Sequence, residues 1–321
     1  MSTDHHSIEV ADGVFAYVHP VGGWGWSNAG LVVGEGASVL VDTLYDRPLT
    51  EAMLSAFGSA VATAPITTLV NTHANGDHCF GNSVVALPSV EVIASAASAE
   101  EFSDLPPATM AFLVDAARNE DSELGRYIVD SFGSFDFTGP APAAPTTTFS
   151  GILEREVGGK QLRLVEFGPA HTKGDLVVHL DEQGVVFTGD LLFIGGTPIL
   201  WDGPVSNWLR ACEQIEAWNP EVIVPCHGPL TNLDGVRAVA HYLETVESGC
   251  AERFSAGMTS HEAMVDLDRS FDHTEFGEWG DRERIAICVE TCWRYLDPSH
   301  PVAPIMELFQ TMASLAGRYQ R

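Results

Sequence analysis

The chain has 321 residues, 45% of them hydrophobic, enough for one large α/β domain or two small ones around a well-buried core. Its 44 acidic residues against 16 basic ones give a formal charge of −28, a surface that repels phosphate backbones and argues against nucleic acid as a partner. No apolar run approaches the ~20 residues of a bilayer span, and Met1 to His6 carries no apolar signal core, so a cytoplasmic chain without a membrane partner is expected.

The first third reads as strands. Val14 to Val18 alternates, and the apolar runs Ala29 to Val33 and Ser38 to Val41 flank Gly34-Glu35-Gly36, the signature of an antiparallel hairpin. Pro48 to Val61 has helical spacing at Leu49, Met53, Leu54 and Phe57. Ile66 to Val70 is a buried-type strand running directly into Asn71-Thr72-His73, and Val90 to Ala94 is another. Residues 96–138 turn acidic and helix-like, and Gly139 to Pro145 then breaks the pattern. Strands resume at Ile152 to Val157 and Gln161 to Phe167 around Gly158-Gly159-Lys160. Leu176 to Leu180 and Val185 to Thr188 flank Asp181-Glu182-Gln183-Gly184. Trp208 to Trp218 is helical, Val222 to Val224 is a buried strand, and after Asn232 the chain reads as helix to its end. Two strand-rich halves with helices outside them indicate a layered α/β core rather than a doubly wound parallel sheet.

The six cysteines form no CxxC pair and read as free thiols of a reducing compartment. Cys288 and Cys292, four apart on an expected helix, read as core packing.

Four segments share one design, an apolar strand ending in metal-binding side chains. They are Leu69 to His73 continuing to Asp77-His78, then Gly168 to Thr172, Val186 to Asp190, and Ile223 to Gly228. Imidazole and carboxylate are the donors zinc takes when no thiolate is supplied. Strand ends hold such donors rigidly. A lone loop histidine is ordinarily a surface residue, but four such segments in succession are not a coincidence of composition.

On these residues the chain resembles the metallo-β-lactamase-fold hydrolases, a superfamily that includes glyoxalase II-type thioesterases, lactonases, alkylsulfatases and β-lactamases. The likeness spans about residues 8–232. It implies an α/β, αββα four-layer sandwich as a single domain over 1–321, here with a helical insertion at 96–145 and a helical C-terminal extension at 232–321. The family's HxHxDH loop falls on His73, Asn75, Asp77 and His78, its next histidine on His171, its bridging aspartate on Asp190 and its last histidine on His227. Behind these ligands Asp42, Thr72 and Thr172 are expected in support.

Two departures stand out. Asn75 replaces a histidine, and Cys226 stands where a glycine usually precedes the last ligand. An amide oxygen is a weaker zinc ligand than imidazole. Two unequal positions are therefore expected, a complete one at Asp77, His78, His227 and Asp190, and a weakened one at His73, His171, Asp190 and Asn75. Cys226 reads as a buried inert thiol.

The resemblance implies one or two Zn2+ ions, iron and manganese suiting the same donors. A bound ion lowers the pKa of its water from about 15.7 to about 7, and Asp77 would orient that nucleophile as the catalytic carboxylate. The expected reaction is hydrolysis of a small-molecule ester, thioester or lactone. An iron-dependent oxygenase or reductase and a non-catalytic binding protein are the alternatives. Trp24 and Trp26 on Gly22-Gly23-Trp24-Gly25-Trp26, with Phe193, Trp201, Phe112 and Tyr127, would contact an apolar part of the substrate. Lys173 is the lone candidate cation near the motifs. Trp293, Tyr295 and Phe309 offer a surface for homo-oligomerisation.

Overall fold

The computed structural model describes residues 5–319. Its first sheet runs in chain order: β1 (His6–Ala11), β2 (Val14–Val18), β3 (Ala29–Val33), β4 (Ser38–Val41), β5 (Ile66–Val70), β6 (Glu91–Ser95) and β7 (Thr147–Phe149). Pairing is antiparallel through β4 and parallel from β4 to β7. The second sheet contains β8 (Ile152–Val157), β9 (Lys160–Glu166), β10 (Leu176–Leu180), β11 (Val185–Phe187) and β12 (Val222–Val224). It is an antiparallel meander except for the parallel pair β11–β12. Val157 pairs with Lys160, leaving Gly158-Gly159 as a two-residue loop with φ of 56° and 82°. That geometry needs left-handed backbone at both positions, which glycine supplies.

Side chains from both sheets meet in one core. Val14, Val32 and Val41 face Leu164, Val178 and Phe187 across the interface. Gly30 sits where an added Cβ would lie 2.1 Å from the Phe187 ring, so the aromatic fills the space a side chain would take. Helices α1 (Arg47–Ala56) and α2 (Gly58–Thr63) cover the outer face of the first sheet, with Met53 and Phe57 against Leu31, Leu40 and Leu69. The single helix expected over Pro48 to Val61 is interrupted at Phe57, where Gly58 follows and weakens the helix.

After β5 come the short helices α3 (Gly76–Cys79) and α4 (Asn82–Val85), and between β6 and β7 lie α5 (Ala96–Glu101), α6 (Pro107–Arg118) and α7 (Glu123–Phe132). The outer face of the second sheet is covered by α8 (Val205–Trp218) and α9 (Leu233–Ser255), which bury Trp208, Ile215, Val236 and Leu243 against Val177, Val186 and Ile223. Helices α10 (Ser260–Ser270), α11 (Ile285–Leu296) and α12 (Ile305–Tyr319) complete the C-terminal region. The layers are thus helix, sheet, sheet, helix.

Two strands escaped the sequence reading. β1 is an edge strand whose residues are at best half-buried, so its apolar alternation is faint. β7 has only three residues and follows the proline-rich loop. The expected oligomer surface is also revised. Trp293 is buried within the chain and Phe309 packs against Trp24, leaving Tyr295 exposed. No helix among the described residues is long and apolar enough to cross a membrane. All six cysteines are buried and unpaired.

Candidate metal centre

The four strand ends converge. β5 delivers Asn71, Thr72 and His73, and α3 then turns Asp77 and His78 back toward the same point. The segment between β9 and β10 brings His171, the end of β11 brings Asp190, and the end of β12 brings His227. Gly189 makes the last turn with φ of 57°, and a Cβ there would meet Thr72 at 2.9 Å.

Asp190 lies at the centre, and its two oxygens sort the histidines into two sets. Oδ1 is 3.2 Å from His78 Nε2 and 3.4 Å from His227 Nε2. Oδ2 is 3.2 Å from His171 Nε2 and 3.7 Å from His73 Nε2. Asp77 Oδ2 joins the first set, 3.4 Å from His227 Nε2 and 3.6 Å from His78 Nε2. Asn75 joins the second, with its amide nitrogen 2.9 Å from His171 Nε2. His78 also stands close enough to His73 and Asp190 to share a ligand group with them, so it borders both sets.

The support behind these residues explains which ring nitrogen faces inward. Asp42 adopts a left-handed backbone, φ 60°, immediately after β4. Its carboxylate accepts from the Thr72 backbone N–H and from Thr72 Oγ1, both at 2.7 Å, and from His78 Nδ1 at 3.1 Å. The Thr72 hydroxyl proton is committed to Asp42, so its oxygen accepts from His73 Nδ1 at 3.1 Å. His171 Nδ1 donates to the Ile199 carbonyl at 2.6 Å. Three imidazoles are thus held with Nε2 turned toward Asp190, unpartnered on His73 and His78 and met by the Asn75 amide on His171. Orienting partners of this kind are what fix metal-ligating histidines. Thr172 has a different role from the one expected. It bonds Asp175, through its N–H at 2.9 Å and its hydroxyl at 2.6 Å, and so braces the His171 loop without touching a ligand.

Does this arrangement fit a metal? His73 Nε2, His78 Nε2 and Asp190 Oδ1 are buried and have no hydrogen-bond partner among the described residues. Buried donors and acceptors rarely go unpaired without a functional reason. Electrostatics agree. Burial alone would raise the Asp190 carboxyl, yet the four surrounding imidazoles hold it well below its usual range. Burial lowers His73 and His171. Burial lowers His78 as well, but the charges of Asp77, Cys226 and Asp190 raise it well above the usual imidazole range, so positive charge gathers around the central carboxylate where a divalent cation would supply it. Cys226 approaches Asp42 and His78 Nδ1 from behind, at 3.8 and 3.7 Å, and burial pushes its thiol far up, so it stays protonated.

The cluster opens into a cavity of about 510 Å³. Trp24, Phe193 and Trp201 line it as expected, and Asp77, Asp190 and His227 form its floor. The other aromatic expectations are corrected. Trp26 stacks on His19 at 4.9 Å and lies tilted against Phe135 at 4.8 Å, away from the cavity. Phe112 is 71% exposed on the outer side of α6. Tyr127 is buried behind Trp24, whose Nε1 donates to its hydroxyl at 3.0 Å. Lys173 points outward to an ion pair with Glu101 at 2.9 Å. The cation that does line the cavity is Arg284, from just before α11. Nothing in the charged run Asp281-Arg282-Glu283-Arg284 signals burial, and such a run ordinarily reads as a solvated helix start.

A two-sheet sandwich with outer helices, holding imidazoles and carboxylates at the ends of its strands, defines a class of proteins built to ligate cations at a sheet edge. The sequence profile of the Metallo-beta-lactamase superfamily matches residues 22–227, and the chain belongs to that superfamily. A hydroxyacylglutathione hydrolase from Methylococcus capsulatus is 25% identical over 218 residues, 68% of this chain and 65% of that protein, so the match spans just under two thirds of the relative. The metallo-beta-lactamase from Pontibacter korlensis is similar in fold, with TM-score 0.55 and 20% identity over 75% of this chain and 99% of that one. The inverting sec-alkylsulfatase Pisa1 from Pseudomonas sp. gives 0.65 and 17%, covering 92% of this chain and about half, 51%, of its own. The added coverage shows that fold similarity to Pisa1 extends beyond the three quarters shared with the Pontibacter protein.

Proposed function

We propose that this chain is a metal-dependent hydrolase of a small, largely apolar ester, thioester or lactone. The observation that carries the reading is the gathering of four imidazoles and the Asp77 carboxylate around Asp190 at the floor of an apolar cavity. Superfamily membership supports a metal-dependent hydrolase in general, and the hydroxyacylglutathione hydrolase relative supports an acyl substrate. Zinc is the proposed ion, held most completely by Asp77, His78, His227 and Asp190.

Bound there, a divalent ion acidifies water and polarises a carbonyl oxygen. The chain's own residues supply the rest. Asp77 is only partly buried and faces the cavity, so its free carboxylate oxygen orients a water and takes up its proton. Asp42, Thr72 and the Ile199 carbonyl fix the imidazoles in advance, which removes reorganisation from the reaction. Trp24, Phe193 and Trp201 hold the apolar part of the substrate and exclude bulk water from the floor.

His78→Ala and Asp190→Ala should each lose bound metal and reduce turnover by roughly 100-fold or more, at or beyond the upper end of what loss of a partner behind a metal ligand costs. Metal quantification beside a screen of activated esters, thioesters and lactones checks this. Full metal content in both variants would refute the site, and stoichiometric iron without hydrolytic turnover would favour redox chemistry instead.

A further inference from the structure

Tyr45 stands on the loop between β4 and α1, three residues after Asp42. The loop is fastened on both sides of it. Thr43 N–H donates to the His78 carbonyl at 3.0 Å, and Gly81 N–H donates to the Leu44 carbonyl at 3.1 Å. The Asp46 carboxylate accepts from Leu49 N–H at 2.8 Å and from Asp136 N–H at 2.9 Å. The ring packs among phenylalanines, with the centroids of Phe135 and Phe137 at 4.9 Å and that of Phe80 at 5.5 Å. Its outer end lies between two glycines. A Cβ added to Gly25 would lie 2.6 Å from Cε1, and one added to Gly76 would lie 2.7 Å from Cε2. Both glycines and Tyr45 itself line the cavity, beside Asp77. The residue is 7% exposed, and its hydroxyl bonds no group among the described residues. Tyr242 also carries an unpartnered hydroxyl, but that one is sealed from solvent. Tyr45 Oη is not sealed, so the surface this residue keeps lies at the end of the ring that meets the cavity. Buried tyrosine hydroxyls ordinarily find a partner, and a phenylalanine would fill this nest as its neighbours do. The hydroxyl is therefore surplus to the fold. Burial, joined by the charges of Asp77 and Cys79, holds the phenol well above its usual range, so it is a neutral donor.

We propose that Tyr45 Oη donates to the carbonyl oxygen of the bound substrate, which makes it a catalytic residue at the edge of the cavity floor. The donor lies beside Asp77, the carboxylate that faces the cavity, so it addresses the scissile group rather than a remote part. A donor fixed before the substrate arrives is worth most where negative charge develops. No proton leaves Tyr45. As water adds to the carbonyl carbon, the C=O pair moves onto the oxygen and the hydrogen bond strengthens, and the pair returns when the leaving group departs. This inference rests on the hydrolase reading for the reaction, but its first readout is binding.

The test is Tyr45→Phe in the full-length protein as purified, with metal content matched to the wild type. The substitution removes one oxygen and keeps the ring, so thermal unfolding should stay at the wild-type midpoint. Equilibrium binding is measured for 2-acetylnaphthalene and 2-ethylnaphthalene, which share a body and differ by one carbonyl oxygen. The substitution should weaken the ketone about fivefold, the increment of one neutral hydrogen bond, and leave the hydrocarbon unchanged. With 2-naphthyl acetate it should lower kcat/KM further than it weakens the ketone, because the charge on the ester oxygen grows along the reaction. Equal changes for the two probes would mean that the ring shapes the cavity without meeting the oxygen. No change in either would mean that the hydroxyl meets only water. Each of these results overturns the proposal. A ketone effect without turnover of any ester, thioester or lactone would keep the contact and sink the hydrolase reading. Turnover indifferent to the substitution would keep the hydrolase reading and sink the contact.

Discussion

Asn75 is the residue that most separates this cluster from the family pattern. Its amide nitrogen donates to His171 Nε2, the lone pair that residue would offer to an ion. The side chain thus both withholds an imidazole of its own and occupies its neighbour's. Asn75→His should raise the bound metal toward two ions per chain and tighten the second by about tenfold or more, within the range that residues around a metal commonly supply. A metal titration by calorimetry reads this directly, and an unchanged second phase would show that the position is not limited by residue 75. The ligand types were legible because each ends an apolar strand, and the loop around Asn75 stood out as a departure. Asp175 and Arg284 were not legible. Asp175 matters only because the loop folds Thr172 onto it, and Arg284 only because α11 starts under Trp24. Both depend on how the chain folds back on itself rather than on any local pattern.

At the scale of elements, the site is precise because the two sheets are locked together directly beneath it. Phe187 ends β11, three residues before Asp190, and its ring occupies the space over Gly30 of β3. Gly30 does not have the left-handed backbone that only glycine tolerates, so its requirement is room rather than conformation. Gly30→Ala should destabilise the fold by roughly 1–3 kcal/mol through overpacking. Phe187→Leu in the same chain should recover part of that loss, because the two substitutions share one contact. Thermal unfolding of the single and double variants gives the coupling, and strict additivity would mean that the ring does not set the spacing. Most strands could be read from apolar runs bounded by glycine. β1 and β7 could not, since one is a half-exposed edge and the other too short to carry a period.

Across the whole molecule, three distant segments meet in one aromatic wall of the cavity. The glycine-rich loop gives Trp24, α7 gives Phe132, and α12 gives Phe309, whose rings meet with centroids 5.5 to 6.1 Å apart. Trimming one of them should change substrate fit without disturbing the ions. Phe309→Ala is expected to raise KM for bulky apolar esters several-fold, about 1 kcal/mol of lost contact, while metal content stays at the wild-type value. Steady-state kinetics with esters of increasing acyl size checks this, and a parallel fall in bound metal would show that α12 supports the cluster itself.

Gly22 has a further consequence. It packs so closely on Gly228 that a Cβ would lie 3.0 Å from its nitrogen, and Asn28 ties the same loop to the carbonyls of Pro225 and Gly228. The loop that carries Trp24 is therefore anchored to the backbone on either side of His227. Selectivity and chemistry are mechanically joined on this side of the cavity, whereas the walls from α7 and α12 touch no ligand loop through such a tie among the described residues. Laboratory evolution toward new substrates should accordingly accumulate changes on the helical walls and spare the glycine-rich loop, because remodelling that loop also moves a ligand.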